Sequence, residues 1–282
     1  MHVEQVDESS KRELIQFLLR HEEYTLFLLG NFEAHGYVMT DAVHSGNFKL
    51  VRADDRVCAA FCLTRGGNLL VYSETDDSAL IDLIVESCRE EVVSLRGLLG
   101  EWEFCAAFWS FLKDKGAVQE TFASQAILYS VDLSQCSFSP QPHVRLLIAG
   151  DYAQWRPLRL RYIQEENIPN NLSEKQMHEQ FVWKTDKKIA WGFFQEGTLV
   201  SIADLNAKAL DLGQVGGVYT VPEFRRRGFS KAVLKHLMHD AKNIHSIRKL
   251  IIFTGVENIA ARKVYEPLGG QAVGYFAIFF GK

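Results

Sequence analysis

The residues with the clearest capacity for chemistry lie in VYTVPEFRRRGFSKAVLKHL, residues 218–237. An apolar run ends at Thr220 or Val221, and Pro222 cannot continue a central strand ladder. Arg225, Arg226 and Arg227 then crowd a tight turn closed by Gly228, and an amphipathic helical pattern follows. Successive backbone N–H groups at such a turn point into one concavity, and the first turn of the helix adds unpaired donors and partial positive charge. Gly228 bares the backbone where a phosphate must come close. Strand, basic turn, glycine and helix in this order read as a pyrophosphate-binding turn. The plainer reading is a basic surface turn with a helix cap. Neither GxxxxGK[ST] nor GxGxxG occurs in the chain, so this is not a Walker loop, and a Rossmann dinucleotide site is unsupported.

Composition agrees with an anionic ligand. The formal net charge is -4, yet residues 1–140 carry 11 Lys+Arg against 22 Asp+Glu, and residues 141–282 carry 20 against 13. A basic C-terminal half favours an anion. Nucleic acid is the weaker reading, because the cations form no long stripe with interleaved aromatics. Cys58, Cys62, Cys88, Cys105 and Cys136 lie scattered in apolar segments and complete no zinc pattern, so they read as buried thiols. No metal is expected. Hydrophobic residues at 47% and charged residues at 23% are the balance of a globular protein. No stretch is long enough to cross a bilayer, and MHVEQVDESSKRELIQ lacks a signal-peptide core, so a cytoplasmic location is expected.

These side chains need elements to hold them. The stretch SQCSFSPQPH, residues 134–143, interrupts the apolar periodicity and marks a boundary. The expected domains are 1–135 and 136–282. Beyond the boundary, helices are expected over 149–165, 173–184, 228–242 and 258–266, and strands in IAWGFF, TLVSIADL, VGGVYTV, KLIIFTG and AVGYFAIFF. The first half repeats this rhythm. Helices are expected near 9–20, 23–34, 77–88 and 101–114, and strands near 47–53, 56–64, 68–72, 91–95 and 118–131. The class is α/β (α+β), and the repeated order suggests a duplicated fold.

The segment Arg225-Arg226-Arg227-Gly228-Phe229-Ser230 resembles the central motif of the GCN5-related N-acetyltransferase (GNAT) superfamily: Arg or Gln, two residues, Gly, one residue, Gly or Ala. Ser230 departs from it but is still small. Asn258, Ala261, Tyr265 and Gly269 are similar to the superfamily's later Asn-x-x-Ala-x-x-x-Tyr-x-x-x-Gly pattern. Gly270 stands where Phe is common. The resemblance spans about residues 143–282. It is closest to bacterial predicted acetyltransferases with a degenerate acetyltransferase-like domain in front, whose GGVYTVPEFRRRG-like and FLLGNFEAHG-like runs this chain shares.

The resemblance implies tandem acyl-CoA N-acyltransferase-like domains, each a mixed, mostly antiparallel sheet flanked by helices. It implies acetyl-CoA as cosubstrate and direct transfer of its acetyl group to an amine, most simply that of a small molecule. Cofactor contacts then fall to Val218, Tyr219, Thr220, Val221, Arg225, Arg226, Arg227, Gly228, Phe229, Ser230, Lys231, Asn258, Ala261 and Tyr265. The backbone N–H of Val218 or Tyr219 faces the thioester oxygen. Tyr265 serves as general acid toward the leaving thiolate, or else packs on the sheet. Asn258 contacts the pantetheine arm or caps its helix. The base is open among Asp204, Glu223 and Glu166, with an ordered water as a further choice. Tyr162, Trp155 and Trp191 line an acceptor pocket or belong to the core. In the first half, Glu74-Thr75-Asp76-Asp77 stands where the arginines and glycine would be, which disfavours a pyrophosphate there. A non-catalytic acyl-CoA sensor, and an acyltransferase using a longer chain and an amino-acid acceptor, are the alternatives. A monomer or a homodimer is expected.

Overall fold

A computed structural model describes residues 1–169 and 172–282. One element order occurs twice. The first pass runs β1 (His2–Gln5), α1 (Lys11–Arg20), α2 (Glu22–His35), β2 (Gly46–Ala53), β3 (Arg56–Thr64), β4 (Asn68–Ser73), α3 (Ser78–Arg89), β5 (Gly97–Glu101), α4 (Trp102–Asp114) and β6 (Glu120–Asp132). The second runs β7 (Val144–Leu146), α5 (Tyr152–Glu165), α6 (Glu174–Asp186), β8 (Ala190–Gln195), β9 (Thr198–Ala209), β10 (Leu212–Thr220), α7 (Phe229–Asn243), β11 (Lys249–Gly255), α8 (Ile259–Tyr265) and β12 (Gln271–Gly281). Each pass is a mixed sheet, mostly antiparallel, with flanking helices.

The compact units are not the consecutive segments expected from the sequence. One unit is Met1–Leu128 with Thr254–Glu257 and Ala272–Lys282; the other is Tyr129–Phe253 with Asn258–Gln271. In the first unit β1, β2, β3 and β4 pair antiparallel, β4 pairs parallel with β5, and β12 pairs antiparallel with β5. The last strand of the second pass thus completes the sheet of the first unit. Its Phe276, Ala277 and Phe279 are buried, and Phe279 stacks on Trp109 of α4 at 5.3 Å. Alternation of apolar and small residues along AVGYFAIFF marks the strand but not its partner.

The expected strand at 91–95 is not formed. Val92 is 86% exposed, and the strand is Gly97–Glu101 instead. Valines drew the sequence reading to the wrong run, and glycines hid the right one. Side chains at Gly97 and Gly100 would strike the neighbouring strands, so the close approach requires glycine. The short strands β1 and β7 also had no sequence signal.

In the second unit β7, β8, β9 and β10 pair antiparallel, and β10 pairs parallel with β11. Helices α5 and α6 bury Trp155, Leu158, Met177 and Phe181 against Leu199, Ile202 and Tyr219 of the sheet. Val233, Leu237 and Ala241 of α7 are buried at the expected helical spacing. Cys62, Cys88 and Cys105 are buried thiols, and Cys58 and Cys136 are half-buried. Burial pushes the Cys62, Cys88 and Cys105 thiols above their ordinary value. No helix among the described residues is long and apolar enough to cross a membrane.

Candidate functional site

The site is built on an irregularity of β10. Gly216 faces Asp204 and Tyr219 faces Ile202, so three steps on β10 match two on β9. Gly217 takes up the extra length at φ +59°, a left-handed conformation that favours glycine. On the other side, pairing of β10 with β11 stops at Val215↔Ile252, although β10 continues to Thr220. The two parallel strands therefore part, and the main chain from Gly216 to Thr220 is released from the β11 ladder.

This edge leads into the basic turn. Pro222–Phe224 form a single 3-10 turn, Arg226 lies at φ +62°, and Gly228 at φ +82° is the N-cap of α7. Ala232 N–H donates to the Gly228 carbonyl at 2.9 Å, which leaves Phe229, Ser230 and Lys231 as the first amides of α7. No side chain caps them. A Cβ at Gly228 would meet no atom within 4 Å, so the turn is open above its backbone. Uncapped amides, helix polarity and two outward arginines make an anion cradle.

The three arginines differ. Arg225 donates to the Thr220 carbonyl at 2.9 Å and pairs with Glu165 at 2.6 Å, so it braces the turn against α5. Arg227 lies over the Phe224 ring at 5.4 Å, and Arg226 is exposed. The Phe229 ring stacks on Phe193 at 4.3 Å and anchors the start of α7. The Tyr219 side chain is buried in the α5–α6 core, so only its main chain belongs to the open edge. Val221 N–H is tied to Val200 O at 3.0 Å.

A second cluster lies on α5 and α8. Asn258 caps α8, accepting from Ala261 N–H at 3.0 Å, and its Nδ2 donates to Glu166 Oε1 at 3.3 Å. Burial and the neighbouring Glu165 raise the Glu166 carboxyl above its ordinary value. Tyr265 is 5% exposed, with its ring edge-on to Tyr129. Burial, with Tyr162 and Glu166 nearby, raises the Tyr265 phenol and keeps its proton on. Tyr162 is pushed up to about 12, chiefly by burial, and meets the Gly217 backbone. The structure thus brings Glu166, Asn258, Tyr265 and Tyr162 together beside the bulge.

Of the other carboxylates, Glu223 is exposed in the 3-10 turn. Asp204 is 2% exposed and pairs with the buried Lys184, Nζ to Oδ2 at 2.7 Å. Trp155 and Trp191 are core residues: the first packs on Phe181, and the second donates Nε1–H to Asp240 at 2.8 Å. Lys184 and Arg159 drew no notice in the sequence. The spacing of Arg159, Tyr162 and Glu166 on one helix face was the available signal.

A repeated mixed, mostly antiparallel sheet with flanking helices is the fold of tandem acyl-CoA N-acyltransferase-like domains. Residues 156–269 match the family model for the acetyltransferase (GNAT) family. No curated protein matches the sequence. Among solved structures, a Drosophila protein is similar at TM-score 0.72 and 14% identity, over 99% of this chain and 98% of its own. A GNAT acetyltransferase from Colwellia psychrerythraea is similar at TM-score 0.57 and 13% identity, over all of both chains. A tandem GNAT protein of clavulanic acid biosynthesis gives TM-score 0.50 and 11% identity, over 100% of this chain and 98% of its own. At such identities the likeness is one of fold.

Proposed function

We propose that this chain is an acetyl-CoA-dependent N-acetyltransferase acting on the amine of a small molecule, with its cofactor site in the second unit. The carrying observation is the continuity of the parted β10 edge with the open, uncapped start of α7. The residues present fit the cosubstrate. The amides of Phe229, Ser230 and Lys231, with Arg226 and Arg227, suit a pyrophosphate. The freed main chain from Val218 to Thr220 suits the amide-bearing pantetheine arm, and a bulge N–H suits the thioester oxygen.

Acetyl transfer from an ammonium acceptor then needs three proton movements: the nitrogen gives up one proton before it attacks the thioester carbon, the sulfur gains one as the C–S bond breaks, and the nitrogen's second proton, released after attack, restores the Tyr265 phenol. Glu166, with its raised carboxyl, takes the proton from the acceptor ammonium; Tyr265, a buried neutral phenol, gives one to the departing thiolate. Asn258 holds Glu166 and starts α8, so it couples the two groups. Asp204 suits the base role less well, because Lys184 already holds it as an ion pair. In the first unit, Asp77 accepts from Ala79 N–H at 2.9 Å at the start of α3, and Glu74 pairs with His21 at 2.6 Å. Carboxylates at the equivalent turn support a scaffold role for this unit, without a cofactor site.

Calorimetric titration with acetyl-CoA, beside Gly228→Glu, tests the reading. Binding near 1 μM, about -8 kcal/mol, is expected for the parent and none for the variant. Absence of binding by folded parent protein would overturn the proposal. Binding without turnover, indifferent to Tyr265→Phe, would favour a non-catalytic sensor.

A further inference from the structure

Beside the β10 bulge stands a phenol that the proposed transfer leaves without a task. Tyr162 lies four residues before Glu166, so the two share one face of α5. Its ring packs at the margin of the α5–α6 core, and the Arg159 guanidinium lies over it at 5.2 Å. At its tip, the Tyr162 oxygen meets the N–H of Gly217, the left-handed residue of the bulge. A phenol oxygen that receives an N–H must send its own proton elsewhere. Among the described residues no carbonyl or carboxylate accepts that proton, so the O–H is an uncommitted donor. Burial keeps the phenol neutral, whereas Arg159 and the Gly217 N–H pull the other way and polarise its O–H.

A thioester under attack needs donors at two atoms. The amine lone pair adds to the thioester carbon, and the C=O π pair moves onto oxygen. That pair then returns, the C–S pair leaves with sulfur, and sulfur takes a proton. Tyr265 serves the sulfur in the scheme above. The Tyr162 and Tyr265 phenols lie close enough for the charge of one to act on the other, so both reach the same stretch of cofactor. The Gly217 N–H is engaged by Tyr162, and the bulge thus passes its polarity on through the phenol. A developing oxyanion gains from each preorganised donor, and removing one costs about 10²- to 10³-fold in kcat.

We propose that Tyr162 is a catalytic residue: its O–H donates to the thioester oxygen beside a bulge N–H and keeps its proton throughout. This rests on the acetyltransferase reading and adds a residue to it. The test is isotope-edited infrared spectroscopy of acetyl-CoA labelled with carbon-13 at the thioester carbonyl, bound to the full chain without an acceptor. The carbonyl band should lie at lower frequency than in free acetyl-CoA. Tyr162→Phe should lose about half of that shift, one of two donors being gone, with acetyl-CoA affinity unchanged by calorimetry. A fluorinated tyrosine at position 162 keeps the shape and donates more strongly, so it should deepen the shift, which a merely packing residue would not do. Should Tyr162→Phe fail to fold, the fluorinated protein decides alone. An unshifted band in the parent would overturn the proposal, as would an unchanged band or lost acetyl-CoA binding in folded Tyr162→Phe, or no response to fluorination. Failure of the folded parent to bind acetyl-CoA would instead overturn the underlying acetyltransferase reading.

Discussion

In the proposed transfer, burial suits Tyr265 and Glu166 to opposite tasks. The Tyr265 phenol is desolvated and holds its proton, whereas the raised Glu166 carboxyl is a stronger base than an ordinary glutamate. Tyr265→Phe should lower kcat about 10²- to 10⁴-fold and leave acetyl-CoA affinity unchanged by calorimetry. Glu166→Gln should lower kcat while keeping an acceptor for Asn258 Nδ2. Its effect on stability has the opposite sign. The folded protein binds the Glu166 proton more tightly than the unfolded chain. The stability this group contributes is therefore present at low pH and is lost as pH rises from the ordinary carboxyl value through the raised one. The glutamine variant escapes that loss, so at neutral pH it should melt no lower than the parent. A lower Tm together with unchanged kcat would refute the base assignment.

At the scale of elements, the site depends on two left-handed glycines. Gly217 allows the bulge, and Gly228 starts α7. They should respond differently to alanine. At Gly217 a methyl group meets the Asp204 carboxylate, and at Gly228 it meets open space. Gly217→Ala should cost about 2–4 kcal/mol by denaturant unfolding, and Gly228→Ala about 1–2 kcal/mol, the cost of the backbone conformation alone. Arg225 braces the turn through Thr220 and Glu165, so Arg225→Ala should loosen the turn as well as reduce its charge. Phe229→Ala should loosen the start of α7 in the same way, because the Phe229 ring holds α7 onto Phe193 of β8.

At the scale of the whole molecule, the C-terminal strand matters beyond its own repeat. Strand β12 pairs with β5 through Phe276–Phe280 and buries Phe276 and Phe279 in the first unit. A buried Phe side chain contributes about 1.5–3 kcal/mol, so deletion of residues 272–282 should destabilise the first unit by several kcal/mol. Thermal melting of the truncated chain should show early unfolding or aggregation, because the deletion exposes the β5 edge. For the same reason a fragment of residues 136–282 carries a strand without its β5 partner, and it should aggregate unless residues 1–135 are supplied. Clean folding of that fragment as a soluble monomer would refute this account.

The sequence by itself determined most elements and the outline of the basic turn before α7. Helical and alternating periodicities are local, and the order strand, Pro222, arginines, Gly228, helix is contiguous, so both can be read along the chain. KLIIFTG matched β11 from Lys249 to Gly255 because a strand covered on both faces is a continuous apolar run. GLLGE was missed because its glycines answer to neighbouring strands, which no local window contains. The partner of β12 was likewise invisible, since alternation sets the face a strand buries and not the strand beside it. Among Asp204, Glu223 and Glu166, only tertiary structure separated an ion-paired, an exposed and a raised carboxyl. Burial and charge partners come from residues distant along the chain: Lys184 lies 20 positions before Asp204, and Asn258 lies 92 beyond Glu166. Folding places these groups side by side, and their chemistry follows from that proximity.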